Sequence, residues 1–331
     1  MAHVGVIGAG SWGTALALRL ILSGHEVSIY DLDGEVVSDI KNNKRNSKYL
    51  GDIELPGNLS AVSDLNACIE DKDVILFAVP AQHFRNAVEE ACRSLKGNEL
   101  VINVAKGIEQ KSLLRLSQIS KDYIDPKNYV VLSGPSHAEE VALNMPTAVA
   151  VSSVDRSAAL RAQDIFMAKE FRVYVTDDVI GTEIGGALKN VIALGAGIID
   201  GLGFKDNALA AMMTRGLAEI ARLGIAMGAN EHTFYGLTGM GDLIVTCTSG
   251  HSRNRRCGQL IGKGMKASDA VKRIGMVVEG MYTTKAAFEL SKKYEVSMPI
   301  TEGIHRIIDD AVNAEDAVYA LLARDKKHER Y

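Results

Sequence analysis

One short string constrains this 331-residue chain more than any other: Gly8-Ala9-Gly10-Ser11-Trp12-Gly13, set between an apolar run, Val4–Ile7, and a helical pattern, Ser11–Ser23. A strand that turns through G-x-G-x-x-G into a helix is the fingerprint of a dinucleotide-binding unit. Gly8 permits the tight turn, Gly10 lets the backbone approach a pyrophosphate, and Gly13 lets helix and strand pack closely. Ser11 and Trp12 stand where free helix amides attract phosphate. A second strand, Glu26–Tyr30, ends at Asp31, 23 residues after Gly8. A carboxylate there takes the ribose hydroxyls and repels a 2′-phosphate, so Asp31 argues for NAD over NADP. Asp33 is the other candidate for that role.

The rest of the first half continues the alternation. Strand-like runs recur at Val74–Val79, Leu100–Ala105, Tyr129–Leu132, Thr147–Val151 and Phe171–Val175, with helical patterns at Phe84–Leu95 and Leu113–Lys121. Short, nearly continuous apolar strands separated by helices predict a parallel sheet covered on both faces. The stretch 43–58 has no period and reads as a loop. After about Asp178 helical periodicity takes over, with long windows at Asn207–Met227 and Glu279–Tyr294. The expected fold is therefore α/β: a Rossmann domain with a mostly parallel, doubly wound sheet over 1–181, then an all-helical substrate domain over 182–331.

Composition removes several classes of function. Lys and Arg total 37 against 41 Asp and Glu, a formal charge of −4, without the basic footprint of a nucleic-acid binder. No uninterrupted apolar run approaches the roughly 20 residues that cross a bilayer, so no membrane span is expected. The N-terminal apolar stretch lacks the cationic region of a signal peptide. Cys68, Cys92, Cys247 and Cys257 have no metal-ligand spacing; scattered thiols point to a reducing cytoplasm, with no metal expected.

Candidate chemistry sits at strand ends and in the helical half. Lys106 follows the fourth long strand and offers a cation; Ser133-Gly134-Pro135-Ser136 follows the fifth, and Ser136 offers a hydroxyl. Lys189 shares a helix face with Gly185, Ile192 and Ala193. Small neighbours would let a ligand come close, and burial would lower the lysine pKa to a useful value. A snorkelling lysine is the plainer reading. Asp242 lies in a glycine-rich turn, where on spacing alone it caps the next helix. Ser252-Arg253-Asn254-Arg255-Arg256 sets arginine forks beside a helix start, a site suited to a phosphate monoester.

Together the strings GAGSWGTALA (8–17), AKGIE (105–109), SGPSHAEE (133–140), GGALKNVIALGAG (185–197), TRGLAE (214–219), GMGDLIVTC (239–247), SRNRR (252–256) and VVEG (277–280) resemble the NAD(P)-dependent glycerol-3-phosphate dehydrogenases, bacterial type. The resemblance implies reversible reduction of dihydroxyacetone phosphate to sn-glycerol 3-phosphate for phospholipid synthesis, with Lys189 as proton donor and acceptor. It implies substrate contacts at Lys106, Gly134, Ser136, Asp242, Ser252, Arg253 and Asn254. It places cofactor contacts at Ser11, Trp12, Lys106, Ala138, Arg253, Val277 and Glu279, and it implies a homodimer. Many bacterial members carry a basic or neutral residue after the second strand, where this chain has Asp31-Leu32. Two rivals remain: a related two-domain hydroxy-acid dehydrogenase, which gives SRNRR no purpose, and a non-enzymatic dinucleotide-sensing regulator, which needs no lysine on a small-residue face.

Overall fold

A computed structural model describes residues 1–326 and 328–329; the last residues of the expected helical domain, Lys327, Arg330 and Tyr331, lie outside the described set. Eight strands form one sheet: β1 (His3–Ile7), β2 (Glu26–Tyr30), β3 (Ser60–Val62), β4 (Val74–Phe77), β5 (Leu100–Asn103), β6 (Tyr129–Ser133), β7 (Thr147–Ser152) and β8 (Phe171–Thr176). Their order is β3-β2-β1-β4-β5-β6-β7-β8. Every pairing is parallel except β6 with β7.

The central strands are buried on both faces because helices cover both. α1 (Ser11–Leu22), α2 (Gly34–Asn43), α3 (Ser47–Leu50), α4 (Leu65–Ile69), α5 (Phe84–Ala91), α6 (Leu116–Ser120), α7 (Ala138–Ala142) and α8 (Arg156–Phe166) accompany the sheet. One apolar core, with Val4, Leu16, Ile29 and Leu132, lies on one face. Another, with Ile7, Phe77, Phe84 and Val131, lies on the opposite face.

Among the described residues the remainder holds helices and no strand: α9 (Val179–Gly201), α10 (Asp206–Ala226), α11 (Asp242–Thr248), α12 (Arg253–Gly262), α13 (Ala267–Ile274), α14 (Glu279–Lys293), α15 (Pro299–Asp309) and α16 (Ala314–Leu322). α9 is the axis of this half, buried along almost its whole length. It is long and apolar enough, by length and composition, to cross a membrane, although no uninterrupted apolar run in the sequence has that length. Its glycines break the run without breaking the helix, and 89% of its apolar window is buried inside the protein. α9 is tied to the sheet half through Glu183, whose carboxylate accepts from Arg115 Nη1 at 2.5 Å and from the Ser117 backbone N–H at 2.7 Å.

Three local expectations are corrected. β3 is too short and too polar, Ser60-Ala61-Val62, to register as an apolar run. The runs Val74–Val79 and Leu100–Ala105 stop early, β4 at Phe77 and β5 at Asn103, because the chain there leaves the sheet to build a cleft. The presumed loop 43–58 holds α3 and an Arg45–Glu54 bridge. This segment also returns Asn46 to the glycine loop, where its amide donates to the Ala9 carbonyl at 2.8 Å.

Candidate active site

Open parallel sheets bind ligands outside the carboxyl ends of their strands, where the strand order reverses. Here that point lies between β1 and β4, and a cleft of about 890 Å³ opens there between sheet and helices. Gly8, Gly10, Ser11 and Trp12 line it from β1 and α1, Asp31 from β2, Lys106 from β5, and Ser136 and Ala138 from β6 and α7. The helical half contributes Lys189, Asn190, Thr246, Ser252, Arg253, Asn254, Val277 and Glu279.

The glycine loop is shaped by backbone crowding. Gly8 has φ +105°, and a Cβ there would meet the Ala78 carbonyl at 2.8 Å. Gly13 does not line the cleft; a Cβ there would run into the Gly8 carbonyl, so its task is packing. Gly10 faces open space, and no side chain caps the amides of α1 behind it. Asp31 holds the loop from β2: Oδ2 accepts from the Ala9 N–H at 2.7 Å and Oδ1 from the Asp33 N–H at 2.9 Å.

At the other end of the cleft two lysines share one carboxylate. Lys189 Nζ donates to Asp242 Oδ1 at 2.5 Å, and Lys106 Nζ to Asp242 Oδ2 at 2.7 Å. Lys106 also donates to the Gly134 carbonyl at 3.0 Å, and Lys189 to Thr246 Oγ1 at 2.8 Å. The Thr246 hydroxyl is itself oriented by donating to the Asp242 backbone carbonyl. Asp242 is 1% exposed, and the Lys189 side chain 9%. Burial draws the Lys189 ammonium down to about 8, against Asp242, which raises it, and with Lys106, which lowers it further. Burial pushes the Asp242 carboxyl up, but Lys106 and Lys189 together outweigh it and hold it below the usual range. Asp242 and Gly134 lie behind the cleft wall, where they hold the lysines.

Glycines set this cluster in place, though not as the sequence suggested. The small residues around Lys189 make room for neighbouring chain. A Cβ at Gly185 would meet the Thr238 carbonyl at 2.5 Å, and one at Gly186 the Ser133 hydroxyl at 2.7 Å. Further along, Gly197 faces the Arg255 carbonyl and Gly258 the Leu194 carbonyl, each too close for any side chain. α9 and α12 therefore pack backbone to backbone, which carries the start of α12 to the side of Lys189.

At that start Ser252 caps α12 by accepting from the Arg255 N–H at 3.2 Å. Arg253 lines the cleft and makes no hydrogen bond or ion pair among the described residues. Arg255 turns away to Asp200 at 2.8 Å, and Arg256 is exposed outside the cleft. Asn254 donates to Asn190 Oδ1 at 2.9 Å and accepts from the Gly280 N–H at 2.8 Å, joining α9, α12 and α14. Glu279 Oε1 accepts from the Ala81 N–H at 2.9 Å, while Oε2 is buried without a partner among the described residues. Burial raises this carboxyl to about 7, with Ala81 and Arg253 opposing. Sequence reasoning missed Thr246, Asn190 and Asn46. Thr246 carried a usable signal, since it lies four residues after Asp242 on one helix face.

The residues present fit a dinucleotide: a glycine loop with uncapped amides, open space over Gly10, and an orphaned buried carboxylate oxygen. Two family models match the chain, the NAD-dependent glycerol-3-phosphate dehydrogenase N-terminus over residues 3–159 and the corresponding C-terminus over residues 178–319. A glycerol-3-phosphate dehydrogenase [NAD(P)+] of Clostridium perfringens is 50% identical over 99% of both chains. One from Bacillus pumilus is 52% identical over 99% of this chain and 96% of its own length. The crystal structure of glycerol-3-phosphate dehydrogenase from Coxiella burnetii superposes with a TM-score of 0.94 at 36% identity, covering 98% of this chain and 99% of that one.

Proposed function

Since the chain belongs to the NAD-dependent glycerol-3-phosphate dehydrogenase family, we propose that it interconverts dihydroxyacetone phosphate and sn-glycerol 3-phosphate with Lys189 as the proton donor and acceptor. The enzyme is an NAD(P)-dependent oxidoreductase, and its product serves glycerophospholipid synthesis. When bound, the nicotinamide supplies a hydride to the ketone carbon or takes one from the alcohol carbon.

The chain's own residues do the rest. The Lys189 ammonium has three protons. Two are engaged by Asp242 and Thr246, which leaves the third for the substrate oxygen in the cleft. As negative charge grows on that oxygen, the ammonium donates its proton; in reverse the neutral amine accepts it. Lys106, held by Asp242 and Gly134, adds a second positive charge beside the developing oxyanion. Arg253 and the first amides of α12 take the phosphate, with Ser136, Ser252 and Asn254 beside them. Anchoring the remote phosphate orients the reacting carbon and applies binding energy to the transition state. Gly8, Gly10, Ser11, Trp12, Asp31, Ala138, Val277 and Glu279 hold the dinucleotide. The helical domain is taken to begin near residue 182, the active form to be a homodimer, and the location to be cytoplasmic, with α9 as a core helix. The family resemblance supports these.

The observation that carries this reading is the Lys189–Asp242–Lys106 cluster beside an unpaired arginine at a helix start. Oxidation of NADH with dihydroxyacetone phosphate, against 2-ketoacid controls, tests it. Turnover confined to the phosphorylated ketone is expected; equal or faster turnover of a ketoacid would sink the assignment.

A further inference from the structure

We propose that Lys48 is a specificity-determining residue that lets this cleft accept a 2′-phosphate in spite of Asp31, by leaving its partner Asp33 for the phosphate. The inference rests on the dinucleotide reading of the cleft. Lys48 lies on α3 and lines the cleft beside Asp31, Leu32 and Tyr49, at the carboxyl end of β2. That is where a dinucleotide ribose sits in this fold. Of the other cations lining the cleft, Lys106 and Lys189 are held on Asp242 and Lys272 pairs with Asp269 at the rim, while Arg253 stands at the start of α12 beside Glu279.

The two carboxylates after β2 do different work. Asp31 uses both oxygens on backbone N–H groups, so it is fixed in place. Asp33 caps α2 through Oδ1, which accepts from the Glu35 N–H at 3.0 Å, and it pairs with Lys48 through Oδ2 at 2.6 Å. The Lys48 side chain is 55% exposed, so the pair is held in solvent. Exposed pairs are weak and screened, which leaves the ammonium free to exchange Asp33 for a dianion that binds more strongly. With NAD the Lys48–Asp33 pair stays intact. With NADP, Lys48 neutralises part of the charge that Asp31 repels. Asp33 thus competes with the phosphate for the same lysine.

The test compares binding of 5′-AMP and 2′,5′-ADP to the enzyme by calorimetry, alongside kcat/KM for NADH and NADPH. Lys48→Ala should weaken 2′,5′-ADP and lower kcat/KM for NADPH by about tenfold, the loss of one charge-assisted contact, with 5′-AMP and NADH within twofold. Lys48→Arg should retain most of the difference. Asp33→Asn should improve 2′,5′-ADP binding, because the lysine is released. The 2′,5′-ADP advantage of wild type over Lys48→Ala should shrink as salt rises. Equal losses on both nucleotides, or none on 2′,5′-ADP, would overturn the assignment. Failure of the unmodified enzyme to bind either nucleotide would instead overturn the dinucleotide reading and this proposal with it.

Discussion

Lys189 Nζ lies 2.5 Å from Asp242 Oδ1, and neither group has appreciable contact with bulk water. An ammonium so placed is held charged by its carboxylate and driven toward neutrality by burial, and the outcome is a group that titrates near 8. Lys189→Ala should lower kcat by about 10²- to 10⁴-fold, the range for a lost general acid–base, with cofactor binding nearly intact by fluorescence titration. Reduction needs the ammonium, so its rate should fall as pH rises through about 8; oxidation needs the amine, so its rate should rise over the same span. Asp242→Asn removes the neighbour that raises the lysine pKa, so both inflections should move to lower pH. A folded Lys189→Ala variant losing less than tenfold, or unmoved inflections in Asp242→Asn, would remove Lys189 from the proton step.

Arg253 is the arginine of its cluster that faces the cleft, since Arg255 is paired with Asp200 and Arg256 lies outside. Arg253→Ala should cost about 2–4 kcal/mol in kcat/KM for dihydroxyacetone phosphate, as for one partner of a buried charge pair. Arg253→Lys should be a poor substitute because it loses the planar fork. The loss should shrink sharply for dihydroxyacetone, which has no phosphate. Equal losses on the two substrates would assign Arg253 to the cofactor or the fold.

Asp31 should make NADH the better cofactor in kcat/KM, and Asp31→Asn should narrow the gap by relieving repulsion of the 2′-phosphate. Because its two oxygens also hold the Ala9 and Asp33 N–H groups, and an amide can accept at only one of these, NADH affinity should fall as well. A preference of the unmodified enzyme for NADPH would contradict this.

Gly258→Ala should separate α9 from α12, since a Cβ there runs into the Leu194 carbonyl. We expect a loss of about 1–3 kcal/mol in denaturant unfolding, the usual cost of overpacking, together with a raised KM for the substrate. Gly34→Ala, which meets nothing within 4 Å, is the control and should leave both unchanged.

The sheet was legible in the sequence because its strands are nearly pure apolar runs, and the glycine loop because its context of strand, turn and helix is local. Boundaries were less legible where a strand end leaves the sheet to line the cleft, as at Phe77 and Asn103. The placement of Lys189 on a small-residue face was visible, but its meaning was not. Gly185 and Gly186 admit backbone and side chains from elsewhere in the chain, and those contacts cannot be seen along one helix. Asp242 read as a helix cap for the same reason, since the lysines that claim it lie 53 and 136 residues away. Asn46 and Lys48 escaped notice because a segment without a period hid a four-residue helix.

Lys106 reaches Asp242 from the sheet half, whereas Lys189 reaches it from the helical half. Drawing the halves apart would withdraw one of two like charges and leave the carboxylate to Lys189 alone. The remaining ammonium would then hold its proton more tightly. The sheet half, through Lys106, therefore loosens the proton that the helical half holds on Lys189. Acid strength at Lys189 is thereby a joint property of the two halves, and a spectroscopic reading of the Lys189 titration reports the charge that the sheet half presents through Lys106.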